Sequence, residues 1–436
     1  MLDLGDKLKN KKFLIYGFGR TGKSCFNYLK KNNKVFIFDD NKKNISNKLL
    51  KTQFIKKSKI KKKIFDFIVI SPGIDINKSS LKFYLKKYKD KIITDLDIFY
   101  LHNLSNLKIT ITGTNGKSTT AKLLFEILRD QNKDVILAGN IGIPILSKNK
   151  IKPSTVFVIE ASSYQLEYSK YFKTDYAFIL NISPDHLERH KSIQKYTQAK
   201  FKLILNQSKN NYAFMENNKY LNREIKKYKN RFKIIKINKN NTKAKKLISN
   251  SYFDNINNLN NLSFILEFAK VYKLNKYKLL KTVNLFKGLE FRQQVIYKNK
   301  FITIINDSKS TSFSSSINLL KSYENIYWIL GGLAKKGDKF NLPSKYFKNI
   351  KCYIFGKDVN FFKKKLNNKI LSISCGNLEN ILNKIAEQIK LKQYKHSHIL
   401  FSPSAASFDE FKNFEDRGHY FNFLIKKIKF IKKINA

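Results

Sequence analysis

Residues 108–124 read KITITGTNGKSTTAKLL. An apolar run leads into a glycine turn, a Gly-Lys-Ser-Thr and an amphipathic run. The pattern predicts a buried strand, a tight turn and a helix start. Backbone N–H groups from Gly113 through Thr114, Asn115 and Gly116 to Lys117 could form an anion nest there. Lys117 would reach terminal phosphates, and the hydroxyl of Ser118 or Thr119 suits Mg2+. Only Thr114 and Asn115 separate Gly113 from Gly116, where the generic phosphate loop has four residues. The competing reading is a helix start capped by Thr114 or Asn115.

Working outward, short β-branched and aromatic runs alternate with helical stretches in three blocks. Strands are expected at 12–16, 35–38 and 67–70, then at 108–112, 135–137, 155–159 and 177–180, then at 301–305, 326–330, 352–355 and 398–401. This is the pattern of α/β domains with parallel sheets covered by helices. The expected division is 1–97, 98–288 and 289–436. The Lys/Asn-rich stretch 217–250 reads as variable surface structure. The 436 residues suffice for several cores. No apolar stretch reaches the length of a membrane helix, and the first residues lack a signal-peptide core, so a cytoplasmic protein is expected. Three scattered cysteines make no metal or redox pattern.

The formal net charge is +54, with 86 basic residues of which seven are Arg. A nucleic-acid surface is one reading. Yet lysines are spread throughout, and Lys, Asn, Ile, Phe and Tyr all have codons of A and U alone. Compositional drift explains the charge without a nucleic-acid partner. It would still steer anionic small molecules toward clefts. The tail LIKKIKFIKKINA is expected to be a terminal helix with its apolar face inward, rather than a membrane-surface helix.

Other candidate residues lie just past expected strand ends, where ligands sit in such sheets. Gly17-x-Gly19-x-x-Gly22 would let backbone approach a diphosphate, and Asp39 stands where an acid reads a ribose or base. Glu160 and His186 are candidate metal ligands, and Lys200 lies on a following helix. Asp307 could accept from a ribose hydroxyl, while Lys309 and Thr311 could meet phosphate or carboxylate. Ser402–Gly418 offers small residues for close anion approach. Arg292 opens the third block. Each taken alone could equally be a cap, a turn residue or a solvated charge.

Together these motifs resemble the Mur ligase family, along essentially the whole chain. TGTNGKST carries that family's short glycine spacing, and GNIGIP, EASSYQLE, LNISPDHLERH and YTQAK follow in family order. NNLNN (257–261) stands for His-Asn-x-x-Asn, with Asn257 in the histidine position. The glycine-rich first domain, NDSKST, GGLAKKGDKF and SPSAASFDEFKNFEDRG resemble the branch that adds D-glutamate. The L-alanine-adding branch is the alternative, although its phosphate loop normally carries a histidine.

The resemblance implies three Rossmann-like or P-loop-type domains, and ATP-dependent addition of D-glutamate to UDP-N-acetylmuramoyl-L-alanine through an acyl phosphate. It implies UDP near Arg20, Thr21, Asp39, Ser71, Pro72 and Gly73, with Asn140 and His186 toward the muramoyl part. It places ATP on the loop and on Asn258, Asn261, Arg292 and Asp307. It implies Mg2+ on Ser118, Glu160, His186 and a carbamylated Lys200. D-Glutamate would meet Thr311, Lys335 (rather than Lys336), Ser407 and Phe414. A monomer is expected.

Overall fold

A computed structural model describes residues 7–41, 53–147, 151–228, 232–238, 246–335, 337–367, 369–390 and 396–428. The chain forms two compact units. One comprises Met1–Ile248 with Asn260–Asn284, the other Ser249–Leu259 with Leu285–Ala436.

The first unit holds two parallel sheets. One has the order β2-β1-β3-β4, from β1 Lys12–Tyr16, β2 Lys34–Phe38, β3 Phe67–Ile70 and β4 Ile92–Ile93. The other has the order β10-β9-β8-β5-β7-β6. Its strands are β5 Lys108–Thr112, β6 Val135–Gly139, β7 Val156–Glu160, β8 Tyr176–Ile179, β9 Tyr212–Glu216 and β10 Lys233–Ile237. All five residues of β5 are buried, as a strand covered on both faces requires. Burying Lys108 at its start is tolerated because its ammonium donates to the carbonyls of Asn103 at 2.8 Å and Leu104 at 3.2 Å, and to Asn106. These carbonyls follow the helix Asp95–His102, so the cation also meets the negative end of its dipole.

That helix ties the two sheets. Phe99 packs edge-on against Phe157 with ring centroids 4.7 Å apart. The Asp97 carboxylate, fully buried, accepts from the Ser169 hydroxyl at 2.8 Å and from the amides of Lys170, Tyr171 and Phe172 at 2.9, 2.8 and 3.0 Å. Such saturation makes a buried charge tolerable.

The second unit has one sheet of order β11-β12-β16-β13-β14-β15. Its strands are β11 Gln294–Lys298, β12 Ile302–Asn306, β13 Ile326–Gly331, β14 Ile350–Phe355, β15 Ser372–Ser374 and β16 Ser397–Phe401. β11 runs antiparallel to β12. Core residues occupy both faces, with Phe401 stacked on Phe421 at 4.2 Å on one and Trp328 on Phe340 at 5.9 Å on the other.

The eleven strands expected from sequence all form, to within two residues at each end. The stretch 217–250 differs from expectation: it contributes the helix Lys219–Ile225 and β10, which pairs in parallel with β9. Lys233 and Lys236 flank the half-buried Ile234 and Ile235 and mask a short edge strand. The terminal helix runs Phe414–Lys427, and residues 429–436 of the expected tail lie outside the described residues. Among the described residues no helix is long and apolar enough to cross a membrane.

Candidate active site

β5 lies between β7 and β8, so the chain ends of three strands open together. Gly113 follows β5 with φ +152°, and Gly116 caps the helix Lys117–Asp130 with φ +83°. A Cβ on Gly116 would stand 2.5 Å from the side-chain amide of Asn261, so glycine lets this asparagine lie on the loop. The loop is braced from β8. Asn181 takes the Thr114 amide on its carbonyl at 3.0 Å and the Asn115 amide on Oδ1 at 2.8 Å. The expected nest is thus narrower, because these two amides face Asn181. Lys117 folds over the turn, donating to the carbonyls of Gly113 at 2.9 Å and Thr114 at 2.7 Å. Ser118 and Thr119 are buried in the first helical turn.

Glu160 ends β7, 1 % exposed. Its Oε1 accepts from Asn140 Nδ2 at 2.7 Å, and its buried Oε2 has no hydrogen-bond partner. A carboxylate oxygen left bare at this depth is costly unless a cation or donor completes it. Mg2+ takes oxygen ligands and is commonly held by one or two carboxylates, waters and substrate phosphates. Glu160 and the hydroxyls of Ser118 and Thr119 fit that chemistry. Among the described residues no three His, Cys, Asp or Glu side chains gather into a larger cluster.

Lys200, on the helix Ile193–Leu205, is also 1 % exposed. Nζ donates to the Gly113 carbonyl at 2.8 Å and Thr112 Oγ1 at 3.3 Å, and lies 4.7 Å from the centre of the Tyr196 ring. Burial pushes its pKa well below the usual lysine range, and Lys117 pushes the same way. A neutral amine is the form that can add CO2.

His186 sits at φ +53°, its Nδ1 2.8 Å from the Tyr164 hydroxyl. His190, one helical turn on, is buried, its Nε2 3.0 Å from Ser163 Oγ. Burial and then Arg189 push its pKa down to about 4, which keeps it neutral. Arg189 bridges Glu167 at 2.9 Å and the Ile74 carbonyl at 2.7 Å.

In the first sheet, a Cβ on Gly22 would stand 2.0 Å from the Gly17 carbonyl, so helix and loop touch backbone to backbone. Asp39 organises this loop: Oδ2 accepts from the Phe18 amide at 2.7 Å and Oδ1 from Asn41 at 2.8 Å. Ser71 Oγ donates to the Gly17 carbonyl at 2.7 Å, which brings the ends of β1 and β3 together, with Pro72 and Gly73 in the turn that follows. Thr21 lies in the first turn of the helix Arg20–Leu29, and Arg20 donates to the Gly142 carbonyl at 2.7 Å, two residues beyond Asn140.

In the second unit, Asp307 follows β12, buried, accepting from Gln293 N at 3.1 Å and Ser402 Oγ at 2.8 Å. Burial lifts its pKa to about 7. Arg292 lies between Phe291 and Gln293, whose φ values are +58° and +51°. Strain of this kind persists where surrounding structure holds it. Lys309 Nζ stands 3.9 Å from the centre of the Phe414 ring. Thr311 is exposed, Lys335 half-buried and Ser407 buried; Lys336 lies outside the described residues. Asn258 donates to the Tyr252 carbonyl at 3.0 Å.

Sequence reasoning missed the braces: Asn181, Tyr164, Tyr196 and Arg417. Asn181 could have been found, since it follows an expected strand. Arg417 sits within a motif already singled out. It is 0 % exposed and donates to the carbonyls of Ser308 at 2.7 Å and Ala405 at 3.0 Å.

Residues 111–277 match the family described as "Mur ligase middle domain", and residues 11–92 that described as "Mur ligase MurD-like, N-terminal domain". The chain is 32% identical to the UDP-N-acetylmuramoylalanine–D-glutamate ligase of Rickettsia felis, over 95% of this chain and 96% of the relative. It is 33% identical to that of Francisella philomiragia, over 97% and 99% of the two chains. Among solved structures it resembles a MurF ligase from Thermotoga maritima in complex with ADP, with TM-score 0.56, 15% identity and coverage of 99% and 100%. It also resembles the MurC ligase of Thermotoga maritima, with TM-score 0.54, 16% identity and coverage of 96% and 100%. These structural likenesses speak for the fold, whereas identity above 30% along nearly the whole length of both chains speaks for descent. The chain belongs to the Mur ligase family, with an N-terminal domain of its MurD-like type.

Proposed function

We infer that this chain is an ADP-forming ligase that joins D-glutamate to UDP-N-acetylmuramoyl-L-alanine in peptidoglycan precursor synthesis. The observation that carries the reading is the convergence, at the ends of β5, β7 and β8, of a phosphate loop, a bare buried carboxylate at Glu160 and a buried amine at Lys200. Full-length similarity to D-glutamate ligases supports the substrate pair.

A carboxylate is a poor electrophile. The L-alanyl carboxylate oxygen would attack the γ-phosphorus of ATP, releasing ADP and forming an acyl phosphate. Lys117 and Arg292 would neutralise charge on the transferring group. Mg2+, when bound at Glu160, Ser118 and the phosphates, with His186 and a carbamylated Lys200 (N6-carboxylysine), supplies further charge neutralisation. The D-glutamate amine would then attack the acyl carbon. Collapse of the tetrahedral intermediate expels phosphate and leaves the amide.

In this reading residues 1–97 hold UDP through Arg20, Thr21, Asp39 and the Ser71–Gly73 turn, with Asn140 toward the muramoyl part. Residues 98–288 hold ATP through the loop, Asn258 and Asn261. Residues 289–436 contribute Arg292 and Asp307 to ATP, and Thr311, Lys335, Ser407 and Phe414 to D-glutamate. The protein would work as a cytoplasmic monomer.

The test is ADP release with ATP, Mg2+, UDP-N-acetylmuramoyl-L-alanine and D-glutamate. Release should require both substrates. A preference for L-alanine with UDP-N-acetylmuramate would overturn the reading in favour of the L-alanine-adding type.

A further inference from the structure

The loops after β12 and β16 share a feature that the proposed chemistry does not use. A chain of serine hydroxyls runs beneath them. Ser402 Oγ donates to Asp307 Oδ2 at 2.8 Å. Ser316 Oγ lies 2.6 Å from Ser402 Oγ, 2.6 Å from Ser404 Oγ and 2.6 Å from Ser310 Oγ. Ser310 Oγ lies 2.8 Å from Ser315 Oγ. Ser310, Ser316, Ser402 and Ser404 are all buried. The Ser402 backbone is itself held, its carbonyl accepting from Trp328 Nε1 at 2.8 Å.

Each hydroxyl has one proton and two acceptor positions. Ser402 spends its proton on Asp307, so Ser316 must donate to Ser402. Ser316 then has no proton left, so Ser310 and Ser404 must both donate to it. Ser310 then has no proton left for Ser315. Ser315 donates its own proton to the Ser312 carbonyl at 2.6 Å. With Ser402 donating to Asp307, the direction of each bond is fixed as far as Ser310, the residue before Thr311.

We propose that Ser316 is a positioning residue that holds Asp307 and the loop carrying Thr311 in one register, so that nucleotide and amino acid are presented together. The proposal rests on the ligase reading for the roles of Asp307 and Thr311. Ser316 touches neither substrate and acts through Ser402 on one side and Ser310 on the other.

The test compares Ser316→Ala, Ser310→Ala and the double variant in the full chain, with separate KM values for ATP, D-glutamate and the UDP substrate. Losing one buried hydrogen bond in such a chain is worth about fivefold. Ser316→Ala should raise the KM for ATP and for D-glutamate each by about that factor, with kcat and the KM for the UDP substrate little changed. Ser310→Ala should raise the D-glutamate KM alone, and the double variant should match Ser316→Ala. Unchanged KM values in Ser316→Ala, an equal rise in all three, or additive effects would overturn the proposal. If Ser316→Ala does not fold, Ser310→Ala decides: an altered ATP KM, or an unaltered D-glutamate KM, counts against it. If the unmutated chain shows no D-glutamate-dependent turnover, it is the ligase reading that fails. Hydrogen exchange then tests the chain of hydroxyls directly: ATP should protect amides 310–312 in the unmutated protein and not in Ser310→Ala, and equal protection in both would refute the coupling.

Discussion

Replacing Gly116 by Ala separates two physical costs. The residue holds φ +83°, where a Cβ costs about 1–2 kcal/mol. The new Cβ would also stand 2.5 Å from both Nδ2 and Oδ1 of Asn261, where ordinary contact begins near 3.4 Å. Asn261 is buried on the helix Ile256–Val271, so its amide must turn away from the loop. Overpacking of this kind adds about 1–3 kcal/mol. Gly116→Ala should therefore destabilise the helix Lys117–Asp130 by roughly 2–5 kcal/mol, read as lost hydrogen-exchange protection. On an Asn261→Ala background the clash vanishes and only the backbone cost of roughly 1–2 kcal/mol remains. ATP affinity, measured by calorimetry, should fall in all three variants. Equal destabilisation in the two backgrounds would refute the account, because the contact with Asn261 would then carry no energy.

Two further outcomes follow from the same site. Lys200→Ala should lower turnover about 100-fold or more, with partial recovery on adding short carboxylates; near-normal turnover would remove Lys200 from the chemistry. His190, held near 4 against an ordinary value near 6.5, favours the neutral ring in the folded state. Its contribution is complete above about pH 6.5 and is lost as pH falls toward 4, because only the unfolded chain takes up the proton across that window. Denaturant midpoints at pH 7 and pH 5 should therefore converge in His190→Gln, and an unchanged gap would exclude this histidine as the source.

The strand ends were legible because parallel buried strands are near-continuous apolar runs, as in ITIT at 109–112 and FVIE at 157–160. β10 was obscured by the lysines of KIIKI, and β15 by its three-residue length. Within the site, Lys117, Glu160 and Lys200 were findable as polar residues next to such runs or on the helix that returns over them. What could not be read was their pairing. That Lys200 would donate to the Gly113 carbonyl depends on a contact 87 residues long, which no local pattern encodes. Asp39 shows the converse: it lies just past the end of β2, but both its carboxylate oxygens accept from loop amides. The serine chain was invisible for a different reason, since INDSKSTSFSSS reads locally as a polar loop and a capped helix start.

Arg417 bears on how far such a chain can exchange one cation for another. Its planar fork satisfies two carbonyls on separate loops from a fully buried position, while Arg189 spans a carboxylate and a carbonyl in the same manner. A lysine offers a single point of charge and cannot span such a pair in a fixed plane. With 79 lysines against seven arginines, most cationic positions here tolerate the simpler side chain. The exceptions mark where the fold asks for shape as well as charge. They divide the surplus of positive charge into a part open to redesign toward neutrality and a small part that is architecture.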